Sequence, residues 1–315
     1  VNNSWKKSLA LLLLLVAGVV YAYKVEYLGD KNKEEAAKKE KKLFAFDQNS
    51  VDKIGVASNG ETAELVKEKG VWKIISPLSA DGDSDAINDI LSSVTTTAST
   101  ESVEGDAKDF GLEPPLIKLD FYHGGKSETL VVGAPSPTGA SVYVKTSAGG
   151  KIMLAPSSLF HSVHKNLFQL RDKRFFTGST EEFSKIEIST GGATITAEKG
   201  ADGKWRVTNP VKGDADDGEI NQLLIGIFYA KATEFADDKS EAETGLKIPS
   251  AKISLWKKDD KKTLLLGGET KDKLGIYAKI AGGRAAAVLP ASFVRFLPRT
   301  ADSLMEKKMD SSKQH

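Results

Sequence analysis

One stretch of this chain is used twice. Residues 71–88 read VWKIISPLSADGDSDAIN, and residues 204–221 read KWRVTNPVKGDADDGEIN. Trp72, Pro77, Ile87 and Asn88 return as Trp205, Pro210, Ile220 and Asn221, each time at an offset of about 133 residues. The echo continues downstream in the same order. Phe110-Gly111-Leu112-Glu113-Pro114 returns as Thr244-Gly245-Leu246-Lys247-Ile248-Pro249, with one residue inserted. Thr129-Leu130-Val131-Val132-Gly133 returns as Thr263-Leu264-Leu265-Leu266-Gly267, and Val142-Tyr143-Val144-Lys145 as Ile276-Tyr277-Ala278-Lys279. Ordered matches at a nearly fixed spacing mean two copies of one module.

A chain of 315 residues has room for two domains of ordinary size, each burying its own core. Composition narrows the chemistry. The formal net charge is +1, so no global field draws in nucleic acid. There are no cysteines, which removes disulfides, thiolate nucleophiles, zinc–thiolate sites and a lipid-attachment cysteine. The apolar share, 40%, fits an extracytoplasmic chain with a charged linker.

The N-terminus reads as a membrane anchor. The apolar run that begins at Leu9 follows Trp5, Lys6 and Lys7. Residues 8–28, with Lys24 snorkelling, make a helix of roughly 31 Å, about the thickness of a bilayer's hydrocarbon. Lys6 and Lys7 place the N-terminus in the cytoplasm and everything after Leu28 outside. The rival reading is a signal peptide cleaved after Val20-Tyr21-Ala22. Residues 29–42 interleave Lys with Glu at i,i+4 spacing and form a solvated linker.

Period-two alternation predicts strands over 51–56, 62–66 and 70–75. A helix over 86–95 follows, with Ile87, Ile90, Leu91 and Val94 on one face. A strand at 100–103, a turn at 110–115, strands at 116–122, 129–133, 141–145 and 151–155, and a helix over 156–170 complete the module. The second copy repeats this, with strands at 185–189, 194–198 and 205–209 and a helix at 219–228. Its meander runs over 251–256, 263–267, 275–279 and 285–289, and helices at 290–297 and 303–309 close it. The fold class is α+β: two tandem modules of mostly antiparallel sheet with packed helices, after an N-terminal transmembrane helix. The expected division is 1–28 anchor, 29–42 linker, 43–178 module one, 179–310 module two and 311–315 tail.

No motif demands an enzyme. Asp81, Asp83 and Asp85 open like a calcium loop, but positions six and twelve are Ala86 and Ser92 where Gly and Glu are required. Asp214, Asp216 and Asp217 fail the same test, so both sets read as turns that cap the following helix. His161 and His164 lie three apart on a predicted helix without an obvious third ligand, and their counterparts are Arg295 and Pro298. Gly191-Gly192, Gly267-Gly268 and Gly282-Gly283 read as turns between strands. Trp72 and Trp205, at matching places, read as core residues facing the helices that start near Ile87 and Ile220. The residues therefore nominate no catalytic, cofactor-binding or metal-binding site.

The anchor, the W-x-I/V-x-x-P strand, the acids ahead of an I-N-x-[IL]-L helix and the later G-L-x-x-P turn resemble a bacterial domain-of-unknown-function family, number 4340. The resemblance covers roughly 43–308 and implies a membrane-anchored extracytoplasmic protein; some members of the family are encoded beside ABC-type transport components of the gliding-motility kind. It carries no catalytic residues. Three functions stay open: a non-enzymatic accessory subunit of a transporter or envelope complex, a stand-alone ligand-binding or adhesion module, and a hydrolase of envelope polymers. The expected partners are the membrane, through the N-terminal helix, and a transporter or envelope protein.

Overall fold

The computed structural model of the chain describes Tyr21, Tyr23 and residues 42–306 except Arg284. Apart from those two tyrosines and Lys42, the expected anchor and linker lie outside the described residues, as does the tail. Among the described residues no helix is long and apolar enough to cross a membrane. The chain divides into two compact units between Asp172 and Lys173. The division falls ahead of 178 because Phe175 and Phe176 are buried in the second unit's core, and the Lys173 carbonyl accepts from the Ala232 N–H.

Unit one runs β1 (Val51–Ser58), β2 (Glu61–Glu68), β3 (Val71–Ser76), β4 (Ala80–Asp81), α1 (Ser84–Thr96), β5 (Glu101–Val103), β6 (Ile117–His123), β7 (Lys126–Pro135), β8 (Ser141–Thr146) and β9 (Ile152–Pro156). Two short helices follow, α2 (Ser157–Val163) and α3 (Leu167–Leu170). The nine strands lie in the order β4-β3-β2-β1-β6-β7-β8-β9-β5.

Unit two runs β10 (Lys185–Thr190), β11 (Ala193–Lys199), β12 (Trp205–Asn209), β13 (Gly213–Asp214), α4 (Asp217–Phe228), β14 (Glu234–Phe235), β15 (Ala251–Lys257), β16 (Asp260–Glu269), β17 (Gly275–Ile280), β18 (Ala287–Pro290) and α5 (Ser292–Phe296). Its order is β13-β12-β11-β10-β15-β16-β17-β18-β14, the same permutation. Identical strand order in both halves makes them copies of one fold.

The path of the chain follows from that order. β4 and β5 sit on opposite edges of the sheet, so α1 must cross one whole face between them. It crosses with Ile87, Ile90, Leu91 and Val94 buried, the i, i+3, i+4, i+7 stripe of an amphipathic helix. α4 buries Ile220, Leu223, Leu224 and Ile227 in the same pattern. Beneath them the alternating strands supply Ile54, Leu65, Trp72 and Ile74 in one unit and Ile186, Ile188, Trp205 and Val207 in the other. From the β5 edge the chain returns to the centre at β6 over the other face. Phe110 of this crossover stacks on Tyr143, ring centroids 4.5 Å apart, and Tyr143 stands opposite the core residues Val142 and Val144. In unit two the same crossover buries Leu246 against Tyr277 and Val288 as a small second core.

Several local expectations are corrected. The helix expected over 156–170 is two helices, broken because Asn166 starts a new one. Its side chain accepts from the Gln169 N–H while the Gln169 side chain accepts from the Asn166 N–H. The helix expected over 303–309 is a 3-10 turn at Ala301–Leu304, and 307–309 lie outside the described residues. β4, β13 and β14 were not anticipated, since two residues carry no periodicity. Gly267-Gly268 is not a turn. It lies inside β16, where the register shifts between Leu266 and Glu269. A Cβ on Gly267 would run into the Thr244 carbonyl, and one on Gly133 into the Phe110 carbonyl. The crossover's backbone lies so close on the sheet that only glycine fits beneath it.

Candidate functional site

Two of the acids singled out in the sequence, Asp83 and Asp216, work as caps. Asp83 accepts from the N–H groups of Asp85 and Ala86, and Asp216 from those of Gly218 and Glu219. Asp81 pairs with Lys73 across β3 and β4, and Asp217 accepts from the Trp205 N–H at 3.1 Å. Among the described residues no group of three His, Asp or Glu is placed to hold a metal ion. His161 is exposed in the last turn of α2. His164 follows that helix, stacks on Phe160 and shares a hydrogen bond with Asn59. The His161 ring also meets Phe160, edge-on at 6.0 Å, and no third metal ligand joins the two histidines among the described residues.

Both tryptophans are in the cores. Trp72 is fully buried, and its Nε1 has no hydrogen-bond partner among the described residues, so the indole serves by its volume. A Cβ placed on Gly82 would touch the Cβ and carbonyl of Trp72 and the side chain of Ile87, so β3 lies close on the first turn of α1, and Trp72 and Ile87 share one core. On the opposite face of the sheets, Lys53 lies over the Tyr122 ring at 5.3 Å and Lys185 over the matching Trp256 ring at 5.1 Å. Lys261 adds a second cation at 4.6 Å from the Trp256 centroid. A contact present in both copies belongs to the shared fold.

The copies part company on the outer side of α4. Ile225 and Tyr229, neighbours at i,i+4, are 50% and 66% exposed, and Phe296 of α5 is 43% exposed. The outer edge of the Phe296 ring sits against Gly226, where a Cβ would strike it. Aromatic contacts run inward from this surface, Tyr229 to Phe228 at 5.1 Å, Phe228 to Phe183 at 6.2 Å and Phe183 to Phe176 at 6.3 Å. Positions 92, 96 and 162 of unit one, which match 225, 229 and 296, carry Ser92, Thr96 and Ser162. An apolar face on one copy and a polar one on the other is the expected mark of a contact surface added to a common scaffold. The alignment of the repeats held this signal; weighing each helix only for its buried stripe hides it.

The repeat also marks where the family begins. The family described as Domain of unknown function (DUF4340) matches residues 72–247 and, again, 205–311. The chain belongs to the DUF4340 family. The two DUF4340 matches overlap, and they open on Trp72 and Trp205, the indoles that pack under the crossing helices. No curated protein and no solved structure matches the chain.

Proposed function

We propose that this DUF4340 chain is a non-enzymatic accessory subunit of a transporter or cell-envelope complex, held to the membrane by its N-terminal helix and working outside it through protein contacts. The observation that carries the reading is the apolar face of Ile225, Tyr229 and Phe296, whose matching positions on the other module are polar. Burying a large apolar side chain is worth about 1.5–3 kcal/mol, so three together supply the centre of a protein interface. The caps, buried tryptophans and cross-strand ion pairs are accounted for by folding, whereas this face joins two exposed aromatic rings and an exposed Ile that the fold does not bury. The anchor reading rests on the run from Leu9 and on Lys6 and Lys7.

The test is affinity capture from detergent-solubilised membranes with mass spectrometry, comparing the natural chain with a triple variant carrying the unit-one residues, Ile225→Ser, Tyr229→Thr and Phe296→Ser. The variant is expected to melt close to the natural chain and to lose one specific membrane partner by about tenfold or more. Equal recovery of every partner by both chains would sink the reading.

A further inference from the structure

The return crossover of each unit carries a second difference between the copies, on the face of the sheet opposite the helices. In unit two, Lys279 of β17 is largely buried beneath the crossover, and its Nζ donates to Glu241 Oε1 at 2.8 Å. Glu241 thus reaches the sheet with its own short aliphatic stem and sets a carboxylate on the ammonium. The matching residues of unit one are Lys145 and Ala107. The equivalence is fixed by hydrogen bonds on either side: Gly111 N–H to Lys108 O matches Gly245 N–H to Ala242 O, and the Val131–Lys145 pairing matches Leu265–Lys279.

Ala107 and Lys145 both line a cavity of about 350 Å³ between crossover and sheet. That volume is within the range of small-ligand pockets. Leu112 and Val131 line it on the apolar side. Three of its other polar side chains are engaged: Lys118 pairs with Asp120 at 3.0 Å, the Thr129 hydroxyl donates to Asp120 at 2.6 Å, and Ser147 Oγ accepts from the Thr129 N–H. Lys145 is half-buried and has no ion pair among the described residues. Glu113, the one carboxylate of the lining, is exposed at the rim and unpaired with Lys145. An ammonium that faces a cavity without an ion pair offers an anion a charge-assisted hydrogen bond.

We infer that the unit-one cavity binds a carboxylate on a short aliphatic stem, with Lys145 as counter-ion and the stem against Leu112 and Val131. The ligand takes the place that the Glu241 side chain fills in unit two. Its source is an acidic side chain of a peptide or a free small carboxylate, and the chemistry is the same for both. The cavity shares no residue with the α4 face, so the inference stands or falls apart from the accessory-subunit reading.

The experiment uses the full chain with its lysines ¹³C-methylated, the Lys145 signal being assigned by its loss in Lys145→Gln. Glutarate, a glutamate-containing tetrapeptide and its glutamine counterpart are titrated up to about 10 mM, which reaches millimolar dissociation constants. Both carboxylates are expected to shift Lys145 and leave Lys279 in place, while the glutamine peptide binds about tenfold more weakly or not at all. Tighter binding of the peptide assigns the site to a protein segment; tighter binding of glutarate assigns it to a free carboxylate. Ala107→Glu supplies the missing carboxylate within the chain. It should move the Lys145 signal towards the position of Lys279 and abolish both titrations, with melting unchanged. Should that variant not fold, Lys145→Gln tests the same point by loss of calorimetric binding. A Lys145 signal that no carboxylate moves, equal binding of the glutamine peptide, or binding that survives in Lys145→Gln would overturn the inference.

Discussion

At the scale of single residues, the chain spends its unusual side chains on packing. Trp72 alternates with Ile74 on β3, and Trp205 with Val207 on β12; all four are buried. Truncating an indole of this kind leaves a cavity that costs about 3–5 kcal/mol. Trp72→Ala should therefore lower the melting of unit one and spare unit two, and Trp205→Ala should do the reverse. A mutant that melts like the natural chain but loses a partner would make the indole a contact residue. Gly267 answers to a different constraint, since the Thr244 carbonyl occupies the space of a side chain. Gly267→Ala should loosen the crossover of unit two, seen as faster amide exchange at Gly268, whose N–H donates to that carbonyl at 2.8 Å. The Lys279 hydrogen bond, and then its charge, hold the Glu241 carboxyl below the ordinary glutamate range. A carboxyl depressed in the folded chain stabilises it at pH above the unfolded value, and that contribution is lost as pH falls through the depressed one. Lys279→Gln should return the Glu241 titration, followed by carboxyl-carbon NMR, upward to the ordinary range; an unmoved midpoint would contradict the pairing.

At the scale of elements, each crossing helix is specified three ways. An aspartate caps its N-terminus, a four-residue apolar stripe faces the sheet, and a tryptophan meets it from below. The cap is the part most easily isolated. Asp83→Ala and Asp216→Ala should each destabilise their own unit by about 1 kcal/mol, read from denaturant midpoints. A loss of metal affinity with no loss of stability would instead revive the calcium reading. The outer surfaces of the two helices are free of these demands, and there they differ: Ser92 and Thr96 on one, Ile225 and Tyr229 on the other. α2 shows the limit of pattern. Apolar residues continue past Val163 at helical spacing, yet Asn166 bonds its own backbone neighbourhood better than it continues a helix, and the element stops.

At the scale of the molecule, two nine-stranded sheets with one strand order have separate main cores that share no residue. Thermal unfolding should show two transitions, each moved by mutations in one unit only. Duplication frees one copy to keep the fold while the other diverges, as in the apolar residues on α4 and the lack of a carboxylate beside Lys145. The anchor proposal makes its own prediction at this scale. Protease added to spheroplasts should digest both units while the N-terminal segment stays with the membrane. A mature protein beginning at Tyr23 in the soluble fraction would refute it.

The duplication, the α+β class, most strands, both crossing helices and the burial of the tryptophans are legible in the sequence, because each rests on periodicity or on repetition along the chain. The acid caps are legible too, since an aspartate just ahead of an apolar stripe acts through its nearest backbone N–H groups. What the tertiary structure alone decided is what meets what across distance. Strand order places β4 and β5 on opposite edges, and that order sends one connection over each face. It brings the Thr244 carbonyl onto Gly267, turns an apparent glycine turn into a bulge, and sets Glu241 on Lys279, 38 residues away in sequence. No local pattern encodes such meetings. They depend on which strands pair, and pairing is settled by burying both apolar faces at once rather than by any one segment.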